Sequence, residues 1–173
     1  MKKKILIIRS VSFQQLDKNL NALVKEFPAH QYELHLLTHG HGMERAKTYK
    51  ALSKIIDYSS RKNFTFFHLP TLLHKKYDAI IIPVTNTTGT GFLNVQALAL
   101  RIPARKIYIC NMVSRIWEIS QSRILMDMFK GFVFTVFSLA LTLPAALILV
   151  PPLLLGLLFR KVKGEASRVK RRG

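Results

Sequence analysis

The sequence predicts an α/β fold, with a Rossmann-like parallel sheet of about five strands in residues 1–113 and a membrane segment after it. Short apolar runs alternate with stretches of helical periodicity, which is typical of βαβ units and a parallel sheet. Residues 131–159 are 29 consecutive residues without a charge, more than the roughly 20 that cross a bilayer as a helix. The single cysteine, Cys110, excludes an intramolecular disulfide and fits a reducing compartment.

The first predicted element is KKILIIRS, residues 3–10, whose continuous run of Ile and Leu is typical of a strand buried on both faces. Residues 12–27 then place apolar side chains at helical spacing, and Pro28 ends that helix. The next predictions are a second strand at residues 32–39, a second helix at 43–58 and a third strand at 63–69.

The second half of the domain continues the alternation with a fourth strand at residues 77–84, a helix at 91–101 and a fifth strand at 105–112. Residues 114–130 follow directly and predict an amphipathic helix with Trp117 near its start. Such a helix lies either along the bilayer interface or against the sheet as the last helix of the domain. The pattern leaves both arrangements open.

The membrane segment, residues 131–159, and the basic tail, residues 160–173, are compatible with two topologies. One is a single kinked crossing, and the other is a re-entrant hairpin hinged near Pro144. Basic residues on both flanks favour the hairpin by the positive-inside rule, whereas single crossings are far commoner. The residues expected to anchor the chain are Trp117, Pro144, Pro151, Pro152, Arg160 and Lys161.

The charge distribution predicts where the domain lies. The formal net charge is +18, with 17 Lys/Arg against 6 Asp/Glu in residues 1–113, 3 against 2 in residues 114–130 and 7 against 1 in the tail beside the membrane segment. Positive charge in that position is typical of a cytoplasmic face that contacts anionic lipid head groups. We therefore expect an inner or plasma membrane protein with its N-terminal domain in the cytoplasm.

Loops at the carboxyl ends of parallel strands are where α/β proteins bind ligands. The loop after the fourth strand has Gly89 and Gly91, which permit close backbone approach, and it leads into a helix at Phe92 whose N-terminal N–H groups suit an anion. The alternative is a plain strand-to-helix connection. The predicted ligand-binding residues of the first and fourth loops are Ser10, Ser12, Gln14, Thr85, Asn86, Thr88, Gly89, Gly91 and Asn94.

Other ligand classes have little support in the sequence. His39 and His41 are two residues apart on a glycine loop and lack Cys or carboxylate partners at ligand spacing, so we expect no metal. The first loop lacks the G-x-G-x-x-G of dinucleotide binders, and no cofactor is expected. The basic residues are not interleaved with aromatics in a nucleic-acid-binding pattern, so nucleic acid is not expected as a partner.

The stretch KILIIRSVSFQQLDKNLNALVKEFP, residues 4–28, resembles the opening of the heptosyltransferase-like glycosyltransferases of the GT-B fold. The resemblance extends over roughly residues 3–110 and covers only the N-terminal Rossmann-like half of that family. It implies a membrane-attached half-domain that acts at the cytoplasmic face in lipid-linked or envelope polysaccharide assembly. A partner glycosyltransferase subunit and a polyisoprenyl-phosphate-linked substrate are implied with it.

The sequence also departs from that family. Its entry loop usually carries a Gly-Asp pair with the catalytic base, and here Phe13, Gln14 and Gln15 occupy this place. The chain turns into the membrane segment where the nucleotide-sugar domain of the family would begin. The catalytic residues are thus unknown. The alternatives are a non-catalytic membrane adaptor that binds anionic lipid or a protein, and a small autonomous enzyme that acts on a phosphorylated lipid.

Overall fold

A computed structural model of the chain describes residues 2–58, 64–65, 76–89 and 91–169, of which residues 143, 145–150 and 153–169 are described by their backbone alone. The chain divides into two compact units, Met1–Met128 and Phe129–Gly173.

The first unit is built on one sheet, whose described strands are β1 (Lys3–Ile8), β2 (Tyr32–Thr38), β3 (Leu52–Asp57), β4 (Tyr77–Pro83), β5 (Ala104–Cys110) and β6 (Ile116–Ile119). Their order across the sheet is β3-β2-β1-β4-β5-β6. The first five strands are parallel, and β6 is antiparallel to β5. The predicted α/β class is confirmed, but the sheet is mixed rather than wholly parallel.

The described helices are α1 (Phe13–Glu26), α2 (Met43–Ala46), α3 (Leu93–Arg101) and α4 (Gln121–Val169), with a 3₁₀ turn at Gly40–Gly42. The apolar stripe of α1 packs on one face of the sheet in a core that includes Leu16, Leu20 and Leu23. Leu98 of α3 and Ile124 of α4 belong to the core on the other face. The central strands are buried on both sides, as their unbroken apolar runs predict.

The predicted second helix, residues 43–58, is wrong beyond its first turn. Only Met43–Ala46 is helical, and Leu52–Asp57 forms the edge strand β3 beside β2. Ile55 and Ile56 are β-branched and favour a strand once a partner supplies the backbone hydrogen bonds. The predicted third strand, residues 63–69, lies outside the described residues except for Phe64 and Thr65.

The predicted helix over residues 114–130 is also wrong at its start. Ile116–Ile119 pairs with β5, and the helix begins only at Gln121. The side chain of Asn111 turns the chain between the two strands, because its Oδ1 accepts from the N–H groups of Val113 and Arg115. Trp117 therefore lies on a strand and packs against the core, not on an interfacial helix.

The helix α4 bears on the two topologies left open by the sequence. Its described backbone remains helical through Pro144, Pro151 and Pro152, so it forms one continuous helix without the hinge near Pro144 that the hairpin requires. The stretch Gln121–Thr142 is long and apolar enough to cross a membrane by length and composition, and most of its side chains are exposed. The predicted membrane segment, residues 131–159, overlaps this stretch up to residue 142.

Candidate functional site

A cavity of about 460 Å³ opens at the carboxyl ends of β1, β2 and β4. Strands β2 and β3 lie on one side of β1, and β4 lies on the other side. The strand order therefore reverses between β1 and β4, and the cavity lies at this topological switch point. The residues that line it are Arg9, Ser10, Val11, His39, His41, Phe64, Gly91, Phe92, Asn94 and Val95.

Arg9 is the first residue after β1, and three neighbours hold its guanidinium. Its Nε donates to Thr38 Oγ1 at 2.6 Å, and its Nη1 donates to the carbonyl of Val11 at 3.2 Å. The guanidinium carbon lies 4.5 Å from the centre of the Phe13 ring, a cation–π distance. Two of these contacts come from residues within four positions of Arg9, and the third comes from the end of the neighbouring strand.

The loop after β2 brings two imidazoles to the same cavity. The N–H of Gly42 donates to the carbonyl of His39 at 2.7 Å, which closes the 3₁₀ turn and places His41 beside His39. The two rings stack at 5.7 Å, and Nε2 of His41 lies 3.3 Å from Nη2 of Arg9. Arg9, His39 and His41 thus form one basic cluster.

Gly42 leaves the space that this cluster needs. A Cβ at this position would lie 2.6 Å from Thr38 Oγ1 and 3.2 Å from Arg9 Nη2. The first distance is too short for a non-bonded contact, and the second is at the lower limit of one. A larger residue at position 42 would therefore push the guanidinium away from its place.

The electrostatics of the cluster follow from burial and from its own positive charge. Burial lowers the pKa of Arg9, and Tyr49 opposes the effect. Burial also lowers the pKa of His39, the charges of Arg9 and His41 lower it further, and Asp57 opposes them. His39 is therefore held towards its neutral form. Its ring packs at 4.4 Å from that of Phe64 and at 5.4 Å from that of Tyr58.

Three of the predicted ligand-binding residues line this cavity: Ser10, Gly91 and Asn94. They come from the first and fourth loops, as expected for loops at one edge of the sheet. The hydroxyl of Ser10 also donates to the carbonyl of Pro83, which ties the end of β1 to the end of β4. Ser10 therefore shapes the floor of the site as well as lining it.

Ser12 and Gln14 have other positions. Ser12 is the N-cap of α1, where its Oγ accepts from the N–H of Gln15 at 3.4 Å. Gln14 is exposed and is not among the residues that line the cavity. Its neighbour Gln15 instead donates to the carbonyl of Met112 at 2.9 Å and thereby links α1 to the loop before β6.

The remaining predicted residues belong to the fourth loop itself. Asn86 Oδ1 accepts from the N–H of Gly89 at 2.6 Å and closes the turn. Thr88 and Gly89 line a second cavity of about 250 Å³, which Trp117 and Arg123 also line. Thr85 is exposed. The loop is thus partly a structural connection and partly a wall between two cavities, because Gly91 lines both.

The predicted anchoring residues divide between strand and helix. Trp117 lies on β6, half-buried against the sheet. Pro144, Pro151 and Pro152 lie inside α4, and Arg160 and Lys161 belong to the same helix, where only the backbone is described. Within the described part of the chain, no group of three metal-ligating side chains was found.

Arg9, His39 and His41 are the site residues that sequence reasoning missed. The sequence pattern places Arg9 only within the first predicted strand, and it suggests the two histidines only as weak metal ligands. The available signal was their position, because each stands within three residues of the carboxyl end of a predicted strand. No protein-family model, curated protein or solved structure matches this chain.

Proposed function

We propose that this chain is a membrane-attached, Rossmann-like half of a glycosyltransferase-type protein, which binds a lipid-linked precursor at the cytoplasmic face and works with a partner catalytic subunit. The observation that carries the proposal is the cavity at the switch point between β1 and β4. Ligands of open α/β sheets bind at such points. Its volume of about 460 Å³ lies in the ordinary range of small-molecule sites.

The chemistry of the lining suits a polar ligand with apolar parts. Ser10 and Asn94 offer hydrogen-bonding side chains, and Phe64 and Phe92 offer aromatic surface. Sugars and lipid-linked head groups present both kinds of surface. The glycosyltransferase assignment itself rests on the resemblance of residues 4–28. The order of the strands is compatible with it, because apart from the antiparallel β6 it is that of a doubly wound nucleotide-binding sheet.

The helix supports membrane attachment. Large apolar side chains stand exposed along it, and among them Phe134 is 74% exposed and Phe132 67% exposed. Exposure of this kind in water costs about 1.5–3 kcal/mol per side chain relative to burial. A bilayer removes that cost, and Gln121–Thr142 has the length for it.

A non-catalytic adaptor is the second candidate, and the exposed arginines beside β6 and α4 favour it. Arg115 and Arg123 are both exposed and belong to the same unit as the sheet. Each basic residue near an anionic leaflet contributes about 1 kcal/mol to binding. In that case lipid head groups would be the ligand of the surface, and the cavity would have no part in it.

Photocrosslinking from the cavity tests the proposal. The photoreactive residue p-benzoylphenylalanine is placed at Asn94, which is exposed at the cavity, and in a control at Asn21, which is exposed on α1. The full chain is irradiated in its native membranes, and the adducts are identified by mass spectrometry. A glycan-bearing lipid captured at position 94 and not at position 21 supports the proposal. Ordinary phospholipid captured equally at both positions would favour the adaptor.

A further inference from the structure

The charge of Arg9 has no carboxylate partner among the residues that the structure describes. The ion pairs found there are those of His35, Arg45, Lys47 and Lys106. Arg9 is instead held by neutral oxygens of Thr38 and Val11 and by the Phe13 ring. A half-buried guanidinium that is fixed in place without a counter-charge, and that lines a cavity, is suited to bind an anion from outside.

His39 is a second polar group of the cavity lining whose pairing the described residues do not supply. The side chain lines the cavity although the residue is only 7% exposed. Its Nε2 atom is buried and has no hydrogen-bond partner in the described part of the chain. Buried polar atoms of native proteins are nearly always paired, so an unpaired one at a cavity needs an explanation.

The amino end of α3, which also lines the cavity, adds hydrogen-bond donors rather than acceptors. No side chain caps α3, whose first turn includes the lining residues Asn94 and Val95. The N–H groups of Val95 and Gln96 bond to the carbonyl of Phe92, which leaves the amides before them to face outward from the helix end. Such a helix end carries partial positive charge, in the same sense as Arg9.

We infer that the cavity binds a phosphate or diphosphate ester, with the charged oxygens beside the contacting pair Arg9 and His41 and the remainder of the ligand against Phe92 and Val95. The inference deepens the proposed function, on which it rests for the claim that this cavity is the ligand site. Guanidinium groups bind phosphate oxygens in bidentate geometry, and helix N-termini add further donors. The volume of about 460 Å³ leaves room beyond a single phosphate for an organic group.

Two sources can supply this chemistry: a lipid-linked diphosphate and a free phosphorylated metabolite. Calorimetric titration of the full chain in detergent micelles separates them, with inorganic pyrophosphate as one probe and geranyl diphosphate as the other. Tighter binding of geranyl diphosphate would assign the lipid source. Equal binding of the two probes would assign the free source, and both results support a diphosphate site.

Matched variants show whether the binding belongs to this cavity. We expect Arg9→Met to weaken pyrophosphate binding by about tenfold or more, and His41→Gln by about threefold to tenfold, because each removes a charge-assisted or polar contact. Arg105→Met and His30→Gln are the controls. They change the same residue types at exposed positions near the amino ends of β5 and β2. Binding in these two variants should remain within twofold of the original chain.

The binding measurements test the diphosphate site separately from the glycan crosslink. If neither probe binds, or if the controls weaken binding as much as the cavity variants, the diphosphate site is refuted. If circular dichroism shows that Arg9→Met is unfolded, the pyrophosphate affinities of His41→Gln and His30→Gln are compared instead. His41 is exposed, so its replacement leaves the core intact. Pyrophosphate binding without a glycan adduct at position 94 would retain the site and refute the proposed function.

Discussion

Gly89 and Gly91 form a matched pair that separates backbone strain from packing in the fourth loop. Both have a positive φ, +81° at Gly89 and +85° at Gly91. Alanine at either position costs about 1–2 kcal/mol because of this left-handed conformation. A Cβ at Gly89 would also lie 2.9 Å from Ile109 Cδ1, whereas a Cβ at Gly91 meets nothing within 4 Å.

The contact at Gly89 adds an overpacking cost of about 1–3 kcal/mol. Gly89→Ala should therefore destabilise the first unit by about 2–5 kcal/mol in total, and Gly91→Ala by about 1–2 kcal/mol. For a unit of this size, about 4 °C of melting temperature corresponds to each kcal/mol. The expected difference between the two variants is thus about 4–12 °C.

The assay is thermal unfolding of the full chain in detergent, followed by the fluorescence of Trp117 and by far-ultraviolet circular dichroism. Trp117 is the only tryptophan, and a Cβ at Gly89 would lie 3.8 Å from its Cζ2, so the fluorescence reports the region that is changed. Equal melting temperatures for the two variants, or a lower one for Gly91→Ala, would refute the packing argument and the position of Ile109 behind the loop.

Three further predictions concern the chain as a whole. Burial raises the pKa of the Cys110 thiol to about 11, so about one thiol in a thousand is ionised at pH 8. An aromatic disulfide reagent should therefore react slowly with the folded protein and faster once guanidinium has unfolded it. Because the pKa of Cys110 in the folded protein lies above the ordinary thiol value of 9.0, the free energy of unfolding should fall as the pH rises from 9 towards 11. Equal labelling rates in the folded and unfolded states would contradict both expectations. Deletion of residues 129–173 should release the first unit into the soluble fraction with its fold intact, because Ile124 and Met128 remain in place against the core; retention on membranes in high salt would contradict this. With the first unit at the cytoplasmic face as proposed, Ser167→Cys in a Cys110→Ser background should be labelled from outside intact cells by an impermeant thiol reagent, since α4 is one helix. Protection that disappears on permeabilisation would contradict a single crossing.

The sequence predicted the central elements well. Strands β1, β4 and β5 lie within two residues of their predicted bounds, and so does helix α1. Their patterns are local and strong: a continuous apolar run is buried on both faces, and a helical stripe ends at Pro28. The switch-point loops follow from the same elements, and for that reason Ser10, Gly91 and Asn94 could be expected at the site.

The edge strands could not be predicted from the same kind of pattern. Leu52–Asp57 and Ile116–Ile119 are short, and each is a strand because a neighbour supplies its hydrogen bonds. At β6 the pairing is reinforced by Lys106, whose Nζ lies 2.9 Å from Glu118 Oε2 across the strands. A short segment with apolar residues fits helical and strand spacing equally, and tertiary pairing then decides.

The basic cluster shows why a ligand site is harder to predict than its loops. Arg9 lies near the end of the first predicted strand, but its role depends on Thr38, which is 29 residues away and fixes the guanidinium. His41 joins it only because a 3₁₀ turn folds the chain back over the end of β2. The function proposed for Arg9 depends on the lack of a carboxylate near its guanidinium among the described residues. That lack becomes visible only when the sheet is assembled, because it depends on which residues of other strands and loops lie nearby. Arg9 and His41 are therefore the residues to substitute at this site, because their proposed role depends on contacts with residues distant in the sequence.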